Sequence, residues 1–132
     1  METKLELRVD GDIVAARQVG REMARILGFG TADQTRLATA ISELTRNALK
    51  HAGGGLCIIS GVSDEDMAVV RVTVEDHGPG IADVDRFLSE GVADRGGTGA
   101  GLLGARRLVH EFSVESRPGY TKVTIAMRVK RR

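Results

Sequence analysis

The chain has 132 residues, room for one compact domain spanning 1–132 but too few for a catalytic domain plus a receptor. Hydrophobic residues at 42% and charged residues at 28% are globular values, and 19 basic against 18 acidic side chains leave +1, so no whole-domain field draws the chain to nucleic acid or an anionic membrane. At 3%, aromatic residues are also too few for a base-stacking surface, so no nucleic-acid partner is expected.

Residues 1–9 contain no apolar run resembling a signal peptide. No stretch approaches the ~20 apolar residues of a membrane span, so the expectation is a soluble, cytoplasmic protein without membrane insertion. Leu5, Leu7 and Val9 alternate with Lys4, Glu6 and Arg8, the period of a strand with one face in a core. Asp12 opens a helix in which Ala16, Val19, Met23 and Ile26 share a face, and Gly28 stops it. Arg17, Arg21 and Arg25 lie opposite and read as a solvated face.

Thr31 and Gln34 have capping-box spacing, and Leu37, Ile41, Leu44 and Ala48 form the buried stripe of a second helix that ends at Gly53-Gly54-Gly55. Residues 56–62 and 67–75 read as two strands joined by Ser63-Asp64-Glu65-Asp66. Cys57, the one cysteine, lies in the first of them and is expected buried and without a redox role. Asp76-His77-Gly78-Pro79-Gly80 breaks the second strand. Residues 81–99 are polar and glycine-rich, a loop with one short helix near 83–88. Helical spacing returns over 101–110 through Leu102, Ala105 and Val109, and 112–116 and 120–129 form a terminal hairpin around Arg117-Pro118-Gly119. The order predicts an α+β two-layer sandwich, with about three main helices on one face of a mixed, largely antiparallel sheet.

Three constellations carry chemistry. On the second helix Glu43, Asn47 and His51 are spaced four apart, with Lys50 beside them, so one face offers a carboxylate, a neutral amide oxygen and cations. A hard cation takes oxygen ligands, and a carboxylate one turn away can accept a proton from an attacking hydroxyl. An ordinary solvated helix face has the same spacing. Asp76, at the carboxyl end of a strand, suits an exocyclic amine such as that of adenine, and Gly78 and Gly80 let backbone approach a flat base. A plain Asp-x-Gly turn would look the same. The run Gly96-Gly97-Thr98-Gly99-Ala100-Gly101-Leu102-Leu103-Gly104 leads into a helix start, where free N–H groups make an anion site. It lacks both the preceding strand of a dinucleotide fold and the Gly-Lys-Ser/Thr of a P-loop.

In order and spacing, Glu43-x-x-x-Asn47, Asp76-x-Gly78-x-Gly80 and Gly99-x-Gly101-x-x-Gly104 resemble the N, G1 and G2 boxes of the GHKL (Bergerat-fold) ATPases. Within that superfamily the chain is most similar to the small serine/threonine switch kinases of the stressosome and to the anti-sigma-factor serine kinases. That likeness rests on 12–18, 27–31, 40–44 with Arg46-Asn47, and 99–102 with Arg107-Leu108.

The resemblance implies a protein serine/threonine kinase that binds ATP and Mg²⁺. It also implies a STAS-domain protein as phosphoacceptor and a PP2C-type phosphatase as a second partner. Carried over by position, Glu43 polarises the acceptor hydroxyl and Asn47 holds the metal, while Asp76 binds the adenine amine with Gly78, Gly80 and Ile81 around the base. Gly97, Thr98, Gly99, Ala100, Gly101, Leu102 and Gly104 close on the phosphates, with 93–99 as a lid. Lys50 and His51 stand on the phosphate side, and Thr121 assists at the adenine. Relatives often have glycine before that threonine, where this chain has Tyr120. The alternative implied function is an ATP-dependent anti-sigma factor or adaptor acting by sequestration. A detached histidine-kinase catalytic domain is disfavoured, because no helix with a phosphoacceptor histidine precedes the first strand.

Overall fold

A computed structural model of the protein describes residues 1–90 and 99–131, with backbone alone at Glu90, Gly99 and Ala100. Along the chain these form β1 (Glu2–Leu7), α1 (Gly11–Ile26), α2 (Thr31–Ala52), β2 (Gly55–Ser63), β3 (Met67–Asp76), α3 (Val84–Glu90), α4 (Gly99–Arg106), β4 (Glu111–Arg117) and β5 (Tyr120–Lys130). The strands make one sheet in the order β1-β2-β3-β5-β4, and each neighbouring pair is antiparallel. The expected mixed, largely antiparallel sheet is purely antiparallel among the described residues: two hairpins give β2·β3 and β4·β5, β5 returns along β3, and β2 returns along β1 after the two helices.

Strand alternation sends Cys57, Ile59, Val70, Val72, Val74, Val123, Ile125 and Met127 to one face, where they meet Ala16, Met23, Leu37, Ile41, Leu44, Leu102 and Ala105 from the helices. Each fully buried aliphatic side chain there contributes about 1.5–3 kcal/mol. α1 and α2 approach closely because position 20 is glycine: a Cβ there would stand 2.2 Å from Ile41 Cδ1. Cys57 is buried, and loss of solvent pushes its thiol up to about 12, as expected of an inert core cysteine.

Two local expectations are corrected. Gly30, not Thr31, occupies the cap of α2, and no side chain caps it. Thr31 already lies in the helix, so its hydroxyl is misplaced for the box, and Gln34 Nε2 instead donates to the Phe29 carbonyl at 2.8 Å. The third long helix expected over 101–110 is α4, which ends at Arg106. There Arg107 and Leu108 donate to the carbonyls three residues back, at 3.2 and 3.0 Å, and close the last turn.

Candidate functional site

Burial of Leu44 and Ala48, each 1% exposed, fixes the rotation of α2 and puts Glu43 and Asn47 on its half-buried flank. Lys50 and His51 follow, exposed, in the last turn. Glu43 Oε1 accepts from Arg46 Nη1 at 2.5 Å, while Oε2 faces α4, where a Cβ on Gly101 would stand 3.6 Å from it. The sequence-predicted carboxylate and glycine helix start therefore meet. The Asn47 carboxamide has no hydrogen-bond partner among the described residues. A half-buried amide without a partner is ready to serve a ligand.

The N–H groups of Gly99, Ala100, Gly101 and Leu102, in the first described turn of α4, have no intrahelical acceptor among the described residues. Leu102 contributes that N–H while its side chain sits in the core, 3% exposed, and Gly104 follows half-buried. Gly97 and Thr98, and with them most of the expected lid over 93–99, lie outside the described residues.

The opposite end forms where β3 and β5 pair. Asp76 and Thr121 are cross-strand partners, 6% and 4% exposed. Burying a carboxylate is costly unless it is hydrogen-bonded. Asp76 Oδ1 accepts from the Gly78 N–H at 3.0 Å, and its second oxygen has no partner among the described residues.

The turn after Asp76 is clamped on both sides. A Cβ on Gly78 would lie 2.8 Å from Ala52 Cβ and 3.1 Å from the His51 carbonyl, at the end of α2. Gly80 has φ +83° and leans on β4, where a Cβ would stand 2.3 Å from the Arg117 carbonyl, so position 80 requires glycine twice over. Half-buried Ile81 donates its N–H to Ser116 Oγ at 2.7 Å, and Ser116 also meets Thr121 Oγ1 at 2.7 Å. Sequence reasoning passed over Ser116. Its signal was parity: it shares the inward face of β4 with Phe112 and Val114, yet it is polar and stands just before the hairpin turn.

From Glu43 to Ala52, α2 advances roughly 13–14 Å at 1.5 Å per residue. The site is thus elongated, with a carboxylate, an amide and the first described turn of α4 at one end and a buried acceptor pair at the other. Among the described residues no group of three His, Cys, Asp or Glu side chains is placed to hold a metal ion. A magnesium ion fits this donor set, because it accepts a single protein oxygen, here that of Asn47, and takes its other ligands from phosphates and water.

Tyr120 points to the other face of the sheet from Thr121. Its hydroxyl donates to Glu75 Oε2 at 2.7 Å, and the Arg117 guanidinium lies 4.3 Å from its ring centroid. The hydrogen bond to the Glu75 carboxylate, with desolvation second, pushes the phenol up to about 12.

Residues 32–131 match the family model described as histidine kinase-, DNA gyrase B- and HSP90-like ATPase. The chain is 47% identical over 115 residues to the serine/threonine-protein kinase RsbT of Bacillus subtilis, covering 87% of this chain and 86% of that one. The fold is shared with the RsbU and RsbW domains of a Mycobacterium tuberculosis protein, at TM-score 0.60 and 24% identity, over 98% of this chain and 33% of that one. It is shared equally with the catalytic domain of the histidine kinase ThkA, at TM-score 0.56 and 20% identity, over 95% of each chain.

Proposed function

The chain belongs to the histidine kinase-, DNA gyrase B- and HSP90-like ATPase family, and we propose that it transfers the γ-phosphoryl group of ATP to a serine or threonine of a STAS-domain protein in a partner-switching pathway. It is an ATP-dependent serine/threonine-protein kinase. The observation that carries this reading is its near-half identity to the B. subtilis kinase along almost the whole chain. No described helix is long and apolar enough to cross a membrane. The proposal places this ATP-consuming activity in the cytoplasm.

In the proposed reaction the acceptor hydroxyl oxygen bonds to the γ-phosphorus, the bond to the bridging oxygen breaks, and ADP departs. Such a transfer asks the protein chiefly for positioning and charge stabilisation. Glu43 is oriented for the proton: Arg46 holds Oε1, leaving Oε2 on the side of the α4 helix start to accept it from the hydroxyl. The α4 N–H groups receive the phosphates, joined by Lys50, His51 and the segment containing Gly97 and Thr98. Asn47 holds Mg²⁺, which when bound neutralises phosphate charge. Asp76 and Thr121 take the base, with Gly78, Gly80 and Ile81 forming the turn beneath it. After transfer, the kinase leaves the phosphorylated STAS partner and engages a PP2C-type phosphatase.

The test is incubation with γ-labelled ATP and STAS-domain proteins encoded near the gene, with Glu43→Ala and Asn47→Ala alongside. Label is expected on a Ser or Thr of one such protein with the wild type alone. Undiminished transfer by both variants would overturn the assignment.

A further inference from the structure

We infer that Ser116 is a positioning residue that selects the base of the nucleotide, by fixing Thr121 as a hydrogen-bond acceptor. The inference rests on the reading above, that Asp76 and Thr121 receive the base.

A serine hydroxyl has one proton to give and two lone pairs to receive. Ser116 Oγ has three neighbours: the Ile81 N–H at 2.7 Å, Thr121 Oγ1 at 2.7 Å and the Tyr120 carbonyl at 3.2 Å. The Ile81 N–H can only donate and the Tyr120 carbonyl can only accept. One assignment makes all three contacts hydrogen bonds: Ser116 gives its proton to Tyr120, and receives from Ile81 and from Thr121. Thr121 then has no proton left for a ligand and offers only lone pairs. Its cross-strand partner Asp76 is a carboxylate with one oxygen unused among the described residues. Two acceptors side by side match an amino group, with its two N–H bonds, and repel a carbonyl. The base end thus demands an amine at the position where hypoxanthine and guanine carry oxygen.

Replacing Ser116 by alanine has two separable effects. The lost anchor at Ile81 loosens the turn and weakens every purine nucleotide alike. The released Thr121 proton does not act alike, since it can now be donated to a carbonyl. The informative quantity is therefore the ratio of ATP to ITP affinity. Inosine carries a C6 carbonyl and an N1 proton where adenosine carries the amine and a bare N1.

Calorimetric titration of the whole protein with ATP and with ITP should show a wild-type preference for ATP. Ser116→Ala should reduce that preference by about tenfold or more, the factor for one hydrogen bond. Ser116→Thr, which keeps the hydroxyl, should retain it. Thr121→Val, which removes the acceptor and leaves Ser116 its bonds to Ile81 and Tyr120, should also reduce it and gives a second readout if Ser116→Ala does not fold. Equal weakening of ATP and ITP in Ser116→Ala overturns the inference, as does a wild type that binds both equally; in each case the kinase reading stands. A wild type that does not bind ATP overturns both.

Discussion

Replacing Asp76 by asparagine isolates one oxygen. The wild-type carboxylate is 6% exposed, and its Oδ1 accepts the Gly78 N–H at 3.0 Å. Asparagine keeps that oxygen, so the turn after β3 retains its internal hydrogen bond. What changes is the atom facing the proposed base, from an anionic acceptor to an amide donor. A hydrogen bond to a charged group is worth about 1.5–3 kcal/mol, so ATP affinity should fall roughly ten- to hundredfold. Stability without nucleotide should change by less than about 1 kcal/mol, since the loss is confined to an oxygen the fold does not use. The assay is calorimetric titration with ATP at fixed Mg²⁺, with thermal melts of the unliganded variant. Asp76→Ala is the comparator, because it also leaves the Gly78 N–H without its acceptor and adds a stability cost of about 1–3 kcal/mol. If Asp76→Asn melts normally and binds ATP as the wild type does, the base does not sit at Asp76.

Glu43→Ala should lower the phosphotransfer rate by about 10²–10⁴-fold, the usual contribution of a positioned base, while ATP affinity in calorimetry stays near wild type. Asn47→Ala should abolish the increment in ATP affinity that Mg²⁺ provides over EDTA; a preserved increment would place the metal elsewhere. Gly80→Ala adds a Cβ 2.3 Å from the Arg117 carbonyl at φ +83°, so it should cost at least about 1–3 kcal/mol in denaturant unfolding and weaken ATP binding as the turn shifts. Tyr120 is the only tyrosine and the chain has no tryptophan, so ultraviolet titration reads it directly. Its midpoint should lie near 12, and Glu75→Gln should bring it back toward 10. Because the native value is raised, the stabilising contribution is complete below pH 10 and is lost as pH rises through about 12.

The elements were legible because local signals agreed with the global fold. Gly53, in the left-handed conformation at φ 74°, ends α2 where the glycine run predicted, and the period-2 spacing of Val70, Val72 and Val74 in β3 and of Val123, Ile125 and Met127 in β5 puts these side chains in the core. What failed was competition between neighbouring options: Thr31 and Gln34 had capping-box spacing, but a helix beginning at Thr31 leaves that hydroxyl one position too late. Within the candidate site, residues on one element were legible by spacing, as with Glu43 and Asn47 on α2. Contacts between elements were not. Ser116 and Ile81 are 35 residues apart, and nothing local to either announces that a side-chain oxygen on β4 will hold the turn after β3.

Tyr120 and Thr121 show how strand register decides what a departure from a family pattern means. Tyr120 stands where the family resemblance leads one to expect glycine, and a bulky ring beside Thr121 looks in sequence like an obstacle to the base. In an antiparallel strand adjacent residues face opposite ways. Thr121 therefore turns inward, paired with Asp76, and the Tyr120 ring turns outward to Glu75, Arg117 and His77. The substitution loads the solvent face of the hairpin and leaves the buried acceptor pair intact. Only the Tyr120 carbonyl reaches inward, and it does so as the acceptor of the Ser116 proton, a role that any residue's backbone can fill. Position 120 is accordingly free in side chain and constrained in backbone, whereas position 116 is constrained in its hydroxyl, so the base end should tolerate Tyr120→Gly far better than Ser116→Ala.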